Sequence, residues 1–381
     1  MIVKIIVSGG GTGGHIYPAL TLIRTIQSQV ENLEILYVGT KIGLEADIIP
    51  KEGLPFQTVD IRGLERKLSL KMIKTAGKAI HGVWQARRIV KQFKPDVVIG
   101  TGGFVCGPIL LAASLMGIPT LIQEQNVIPG ITNKLLAKFV TKIAVGYQDA
   151  MKYFPTEKVV FTGNPIRAEV LSMNRQAGLL EFGFDTKKKT ILISGGSRGA
   201  RSINRAMIDV HKYFAGNKNI QLLHITGKNE YNDIVASVQK QGIDLAKKRN
   251  ILIKPYLYDM PKALALADLA IFRAGATGIA ELTAKGIPSI LIPYPYAAEN
   301  HQEFNALSLA KRGAAVMIRD QDLTAVALIE AIESIISEPT KLLNMAEASR
   351  AMGRPEAAEE IAKLVVLLAN HGQKNYGNDD I

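Results

Sequence analysis

The feature that most constrains this 381-residue chain is a pattern that occurs twice: short β-branched runs alternating with longer helical stretches, each series opening on a glycine loop. In the first series KIIV (4–7), EILYV (34–38), DVVIG (96–100), PTLIQ (119–123) and KIAVG (142–146) read as strands. The second series runs through TILIS (190–194), IQLLHIT (220–226), ILIKPY (251–256), DLAIF (268–272), SILIP (289–293) and AAVMI (314–318). Strands joined by helices form parallel sheets, because each crossover carries the chain back to the same end of the sheet. SGGGTGG (8–14) follows the first strand of one series, and SGGSRGA (194–200) follows the first strand of the other. The expected fold is therefore α/β, with two Rossmann-like domains, and the length suits two cores better than one. A Gly-Asn-Pro turn in GNPIR (163–167) is the expected hinge, between a first domain over 1–163 and a second over 164–345. The stretch 339–370 reads as helix, and 371–381 is expected to be a disordered tail.

A formal charge of +12 favours anionic partners: nucleotides, diphosphates, acidic lipid or nucleic acid. No helix-turn-helix, zinc or RNP signature accompanies the charge, so nucleic acid is not an expected partner. The lone Cys106 excludes a disulfide framework and points to a reducing compartment. The apolar run in MIVKIIVSGGG is too short for a signal peptide. Val97 to Gln123 carries no charge and is long enough to span a bilayer. Gly100, Gly102, Gly103, Gly107, Pro108, Gly117 and Pro119 divide it, so a buried strand-loop-helix-strand unit is expected instead.

Gly9, Gly11 and Gly14 match G-x-G-x-x-G between a strand and a helix, where backbone N–H groups can approach a diphosphate. A dinucleotide site also needs an acid at the end of the second strand; Val38-Gly39-Thr40 has none, and Glu45 and Asp47 come later. His15 has two readings: a first-turn residue bonded to backbone, or a base facing an acceptor hydroxyl.

Ser194 to Ala200 offers hydroxyls, N–H groups and Arg198 at a helix start, which suits a phosphate; a tight turn with a serine cap is the plainer reading. Arg273 to Glu281 leaves a strand, turns on glycine and opens a helix whose N-terminus can face a diphosphate. Glu281 can accept two bonds from a ribose diol, or simply complement the helix dipole. The polar run Glu299 to Asn305 follows the next strand, at the sheet edge where such folds bind ligand. Histidines do not cluster and cysteine is nearly absent, so no metal or other cofactor is expected. Asp320-Gln321-Asp322 has the spacing of a metal clamp, but Asp322 reads more simply as the cap of the helix LTAVALIEAI.

GGGTGGHIYPAL (9–20), KPDVVIGTGGFVCGP (94–108), QEQNVIPGITNKLLAK (123–138), GNPIR (163–167), GGSRGA (195–200), RAGATGIAEL (273–282) and HQEFNA (301–306) together resemble the MurG family of bacterial glycosyltransferases, in its order and spacing from about residue 1 to 365. The resemblance implies a GT-B fold with an interdomain cleft, and a helix over 346–370 returning to the first domain. It implies inverting transfer of GlcNAc from UDP-GlcNAc to the 4-hydroxyl of MurNAc in undecaprenyl-diphosphate-MurNAc-pentapeptide (lipid I), giving lipid II and UDP without an obligatory metal. It implies a peripheral protein on the cytoplasmic face of the membrane, with other cell-wall synthesis proteins as partners.

By the same resemblance Thr12, Gly13 and Gly14 lie near the diphosphate and sugar. Asn126 touches the transferred sugar, and Arg167 and Ser197 hold the nucleotide. The backbone of Leu257 reads uracil. Ala276, Thr277, Gly278, Ile279 and Ala280 cover the diphosphate and ribose, with Glu281 on the diol. His301 and Gln302 read sugar hydroxyls, although many relatives carry two glutamines there. Gly278 replaces a hydroxyl residue, with Thr277 adjacent; Phe104 and Cys106 stand where Tyr and Ser also occur. Rival readings are a transferase acting on diacylglycerol and a UDP-GlcNAc 2-epimerase, which would need no lipid acceptor. Between Arg62 and Lys94 ten Lys and Arg stand against one acid, Glu65, interleaved with apolar residues that include Trp84. The expectation is that Lys67, Lys71, Lys74 and Lys78 face an anionic membrane surface; the alternative puts the apolar side of that helix in the core.

Overall fold

The computed structural model describes residues 2–61 and 70–376, with the backbone alone described over 70–80 and 371–376. The chain divides into two compact units, Met1–Pro165 with Glu356–Ile381, and Ile166–Pro355.

The first unit holds β1 (Val3–Ser8), β2 (Leu33–Gly39), β3 (Phe56–Thr58), β4 (Val97–Gly100), β5 (Thr120–Glu124), β6 (Lys142–Val145) and β7 (Val159–Phe161) in one sheet of order β3-β2-β1-β4-β5-β6-β7. The second holds β8 (Lys189–Ser194), β9 (Ile220–Ile225), β10 (Ile251–Lys254), β11 (Leu269–Arg273), β12 (Ser289–Ile292) and β13 (Ala315–Met317), in order β10-β9-β8-β11-β12-β13. The strand pairings are parallel in both sheets. Ser8 at the end of β1 lies opposite Val38 and Gly100, and Ser194 at the end of β8 lies opposite Ile225 and Phe272. In each unit the strand order therefore reverses beside the strand that opens the series.

The strands are apolar runs because helices cover both faces of the sheet. In the first unit Ile5, Val7, Ile99 and Leu121 pack with Ile16, Leu22, Ile23 and Ile26 of the helix Gly13–Gln29. Ile361, Val365 and Ala369 of the last helix, Ala357–Tyr376, complete that core. Burying each large aliphatic contributes about 1.5–3 kcal/mol. In the second unit Ile191, Ile193, Leu222 and Ile271 pack with Ile203, Met207 and Val210 of the helix Arg201–Phe214, and with Leu328, Ile332 and Ile335 of the helix Ala325–Ile336.

The stretch 339–370 is two helices rather than one. Pro339–Met352 stops at Gly353 and contributes Met345 to the second core. Pro355 then disfavours helical backbone at Arg354, and a new helix starts at Ala357. That helix continues to Tyr376, so the first six residues of the expected tail are helical; 377–381 lie outside the described residues. The uncharged stretch from Val97 resolves into β4, the helix Cys106–Leu115 and β5. Among the described residues no helix is long and apolar enough to cross a membrane.

Candidate active site

Open parallel sheets bind ligands beyond the carboxyl ends of their strands, where the order reverses. In the first unit that point lies between β1 and β4, and in the second between β8 and β11. SGGGTGGH leaves β1, Thr101–Val105 leaves β4, SGGSRGA leaves β8, and Ala274–Glu281 follows β11. Each motif singled out for its glycines thus stands at the switch point of its own sheet.

In the first unit the helix Gly13–Gln29 starts after an extended Thr12, with no side-chain cap on its first N–H groups. Thr12 and Gly14 are exposed. The loops after β1 and β4 meet backbone to backbone: Gly103 has φ +82°, and a Cβ there would stand 2.5 Å from the Gly10 carbonyl. Glu45, which the sequence offered only as a misplaced ribose acid, is fully buried beneath the first loop. Its carboxylate accepts from Gly11 N at 3.0 Å, Thr40 N at 3.1 Å and Thr40 Oγ1 at 2.7 Å. Tyr37 donates its hydroxyl to Gly9 O at 2.6 Å. The loop is held by these contacts, and the helix that leaves it carries no side-chain cap on its first turn.

His15 bonds backbone through one ring nitrogen, the first of its two readings. Nδ1 lies 2.9 Å from Gly10 O and 3.3 Å from Thr12 Oγ1. The carbonyl can only accept, so Nδ1 carries the proton and Nε2 the lone pair. Burial lowers the pKa of the ring, against an upward pull from the Gly10 bond and Glu45. The imidazole is therefore a free base at neutral pH, the state that proton abstraction requires.

Asn126 follows β5 and is positioned by Glu124, which the sequence did not reveal. The Glu124 carboxylate accepts from Asn126 N at 2.9 Å, Gly130 N at 3.1 Å and Asn133 Nδ2 at 2.7 Å. Burial pushes its pKa up, and these donors pull it back. Gln125 beside it donates to Thr101 O, which ties the loops after β4 and β5 together.

In the second unit the helix Ala276–Lys285 starts at Gly275 with no side-chain cap, leaving its first N–H groups for an anion. Glu281 is buried in its second turn. Arg167 Nε and Nη2 donate to Glu281 Oε1 at 3.0 and 2.8 Å. Burial raises the Glu281 pKa and the guanidinium lowers it again. Two residues expected on the nucleotide, 114 positions apart, are thereby brought together, with both bonds on a single oxygen. Ser197 is exposed in its loop, and Leu257 is half-buried after β10. Gln302 Oε1 accepts from Tyr294 N at 2.9 Å, and His301 Nδ1 donates to Ala298 O at 2.7 Å. Glu299 and Asn300, just before them, have φ of 52° and 51°, an unusual backbone for residues with side chains. Such strain recurs at ligand sites.

Asp322 does not cap the following helix. Thr324 does, accepting from Ala327 N at 3.1 Å, because it is the extended residue immediately before the first helical turn. Asp320 binds Arg273 Nη1 at 2.5 Å and Ser202 Oγ at 2.6 Å. That ion pair locks the end of β11, since Arg273 Nη1 also donates to Ile292 O and Pro293 O. Among the described residues no three His, Cys, Asp or Glu stand where they could hold a metal ion. Lys67 lies outside the described residues; Lys71, Lys74 and Lys78 belong to the helix Leu70–Phe93, in a part whose side chains are not described.

The glycosyltransferase family 28 N-terminal domain matches residues 5–145, and the family 28 C-terminal domain matches residues 190–361. The chain is 50% identical to a protein of Desulforamulus reducens over 95% of this chain and 98% of the relative. It is 47% identical to one of Halalkalibacterium halodurans over 96% and 99%. Both are named UDP-N-acetylglucosamine–N-acetylmuramyl-(pentapeptide) pyrophosphoryl-undecaprenol N-acetylglucosamine transferase. The structure superposes on Acinetobacter baumannii MurG with a TM-score of 0.76 and 29% identity, over 95% of this chain and 99% of that one. The UDP-GlcNAc 2-epimerase of Neisseria meningitidis shares the fold alone, with a TM-score of 0.63 and 14% identity over 96% of this chain and 100% of that one. Two α/β units with parallel sheets, a glycine motif at each switch point and these relatives agree: the chain is a GT-B glycosyltransferase of family 28, in the branch of the peptidoglycan N-acetylglucosaminyltransferases.

Proposed function

We propose that the protein transfers N-acetylglucosamine from UDP-GlcNAc to the 4-hydroxyl of MurNAc in undecaprenyl-diphosphate-MurNAc-pentapeptide, inverting the anomeric carbon and giving lipid II and UDP. The second unit holds the donor. Ser197, Arg167 and the Leu257 backbone take the nucleotide, and the uncapped N–H groups at Ala276, Thr277 and Gly278 take the diphosphate, with Ile279 and Ala280 beneath it. Glu281 takes the ribose diol, and His301 and Gln302 take sugar hydroxyls. The first unit supplies Thr12, Gly13 and Gly14 for the diphosphate and sugar, Asn126 for the sugar and His15 for the acceptor. His15 Nε2 removes the proton of the 4-hydroxyl as that oxygen bonds to the anomeric carbon. The bond from that carbon to the diphosphate breaks and UDP departs. Its growing negative charge is met by the helix N-terminus, a preorganised field that needs no metal.

One observation carries this reading: a buried carboxylate in the second turn of an uncapped helix, held by a guanidinium through one oxygen only, at the switch point of the sheet. It suits a ligand with a diphosphate next to a vicinal diol. The test follows UDP release from UDP-GlcNAc with and without a short-chain lipid I analogue. Strict dependence on the analogue supports transfer; release without any acceptor would point to the epimerase reading.

A lipid-linked acceptor requires work at a membrane, and the protein is read as peripheral on its cytoplasmic face. Trp84 is 59% exposed and so is no part of the core. Leu115, Ile131, Leu135 and Phe139 are exposed on the elements that follow, with Lys134 and Lys138 also exposed among them. Exposed apolar side chains interspersed with lysines suit an anionic bilayer interface.

A further inference from the structure

The second unit contains a buried polar chain that lies outside the residues assigned to donor and acceptor. His211 Nε2 lies 3.0 Å from His224 Nδ1, and His224 Nε2 lies 3.1 Å from Asn204 Oδ1. All three residues are fully buried. Asn204 Nδ2 donates to Thr226 O at 2.8 Å and to Glu230 Oε2 at 2.6 Å. Two acceptors on that side identify the amide nitrogen, so Oδ1 must accept and His224 Nε2–H must donate. His224 Nδ1 then accepts from His211 Nε2–H. His211 Nδ1 has no hydrogen-bond partner, so the chain ends inside the core.

The other end of the chain closes on the second glycine loop. A Cβ on Gly199 would collide with the Thr226 carbonyl, and one on Gly227 would stand 2.5 Å from the Arg198 carbonyl. The turns after β8 and β9 are thus in backbone contact. Asn204 spans both: its side chain holds Thr226, and its backbone N donates to Ala200 O at 2.9 Å. Glu230 is held in turn by Arg201 Nε at 2.8 Å, at the start of the helix that leaves the loop.

We propose that Asn204 is a positioning residue for donor binding: oriented by His224, its amide sets the backbone of Ser197-Arg198-Gly199 that receives the nucleotide. The inference rests on the reading of that loop as a nucleotide contact. Asn204→Asp keeps the size of the side chain and the acceptor for His224, but turns an oxygen towards the Thr226 carbonyl and the Glu230 carboxylate.

The test is calorimetric titration with UDP of the full chain and its variants, together with steady-state kinetics on UDP-GlcNAc. Asn204→Asp is expected to raise Kd for UDP and KM for the donor by roughly tenfold, the scale of one misplaced polar contact, with kcat changed far less. Leu328→Ala, a core change in the same unit that lowers the melting temperature, is expected to leave UDP affinity unchanged. Ser197→Ala should weaken UDP binding, and combining it with Asn204→Asp should cost less than the product of the two effects, because both act through one loop. If Asn204→Asp fails to fold, His224→Phe removes the orienting donor at similar size and takes its place. Wild-type UDP affinity in Asn204→Asp or His224→Phe, alongside a weakened Ser197→Ala, would reduce Asn204 to a structural residue. Unchanged affinity in Ser197→Ala would overturn the loop reading itself, and the proposal with it.

Discussion

Glu281→Ala removes the carboxylate that accepts both Arg167 bonds. If that carboxylate holds the ribose diol, the lost charged hydrogen bonds are worth about 1.5–3 kcal/mol, or roughly a 10–150-fold rise in Kd for UDP-GlcNAc. The freed guanidinium offsets part of this. Its side chain is 34% exposed, so water can take up its donors, and the lower half of the range is expected. Calorimetry with UDP-GlcNAc and with an analogue bearing 2′-deoxyribose separates the diol contact from general disturbance. The deoxy analogue should bind the wild type more weakly than the natural donor, and the gap should shrink in Glu281→Ala, because both changes delete one interaction. Burial also holds the Glu281 pKa above its ordinary value of 4.5. Donor affinity should therefore fall as pH drops through that raised pKa, when protonation removes the accepting charge. Equal affinity of variant and wild type, or an undiminished deoxy penalty in the variant, would refute the assignment.

His15→Ala should lower kcat by about 10²–10⁴ with little change in donor affinity. Because burial lowers the His15 pKa, the acid limb of the wild-type pH–rate profile should lie below pH 6.5; a limb above that value would count against His15 as the base. His211, whose folded-state pKa is lowered to about 3, and His224, shifted the same way, bind protons less readily folded than unfolded. Stability should then fall as pH drops below 6.5, by up to about 1.4 kcal/mol per pH unit for each histidine. Urea unfolding across that window should show a shallower slope in His211→Phe, and an unchanged slope would place the acid sensitivity elsewhere. Reversing Lys67, Lys71, Lys74 and Lys78 to Glu should abolish sedimentation with phosphatidylglycerol vesicles and spare UDP binding, each lysine contributing about 1 kcal/mol at most in a salt-screened contact. Sedimentation like wild type at low salt would move the membrane patch to other residues.

The strands of both sheets were legible wherever apolar runs reached four residues. β3 and β7 were not, since FQT and VVF at the sheet edges are too short to show a period. The glycine motifs were legible because close backbone approach admits no substitute, as Gly103 and Gly199 show. The supports beneath them were hidden. Glu45, Glu124 and Asn204 meet their partners across gaps of up to 34 residues, and nothing in the local sequence marks a buried carboxylate or amide as taken. The Arg167–Glu281 pair was named residue by residue, but not as a pair, because 114 residues separate its members. Asp322 was misread for a local reason: two cap-forming residues, Asp322 and Thr324, stand two positions apart, and backbone geometry alone decides between them.

The most direct test supplies UDP-GlcNAc labelled in the sugar together with a short-chain lipid I analogue, and identifies the labelled product by mass spectrometry and its linkage by NMR. The account predicts one N-acetylglucosamine added to the MurNAc 4-hydroxyl in a β-linkage, with UDP formed in equal amount. Label recovered as free or epimerised sugar, or carried equally well to diacylglycerol, would contradict it.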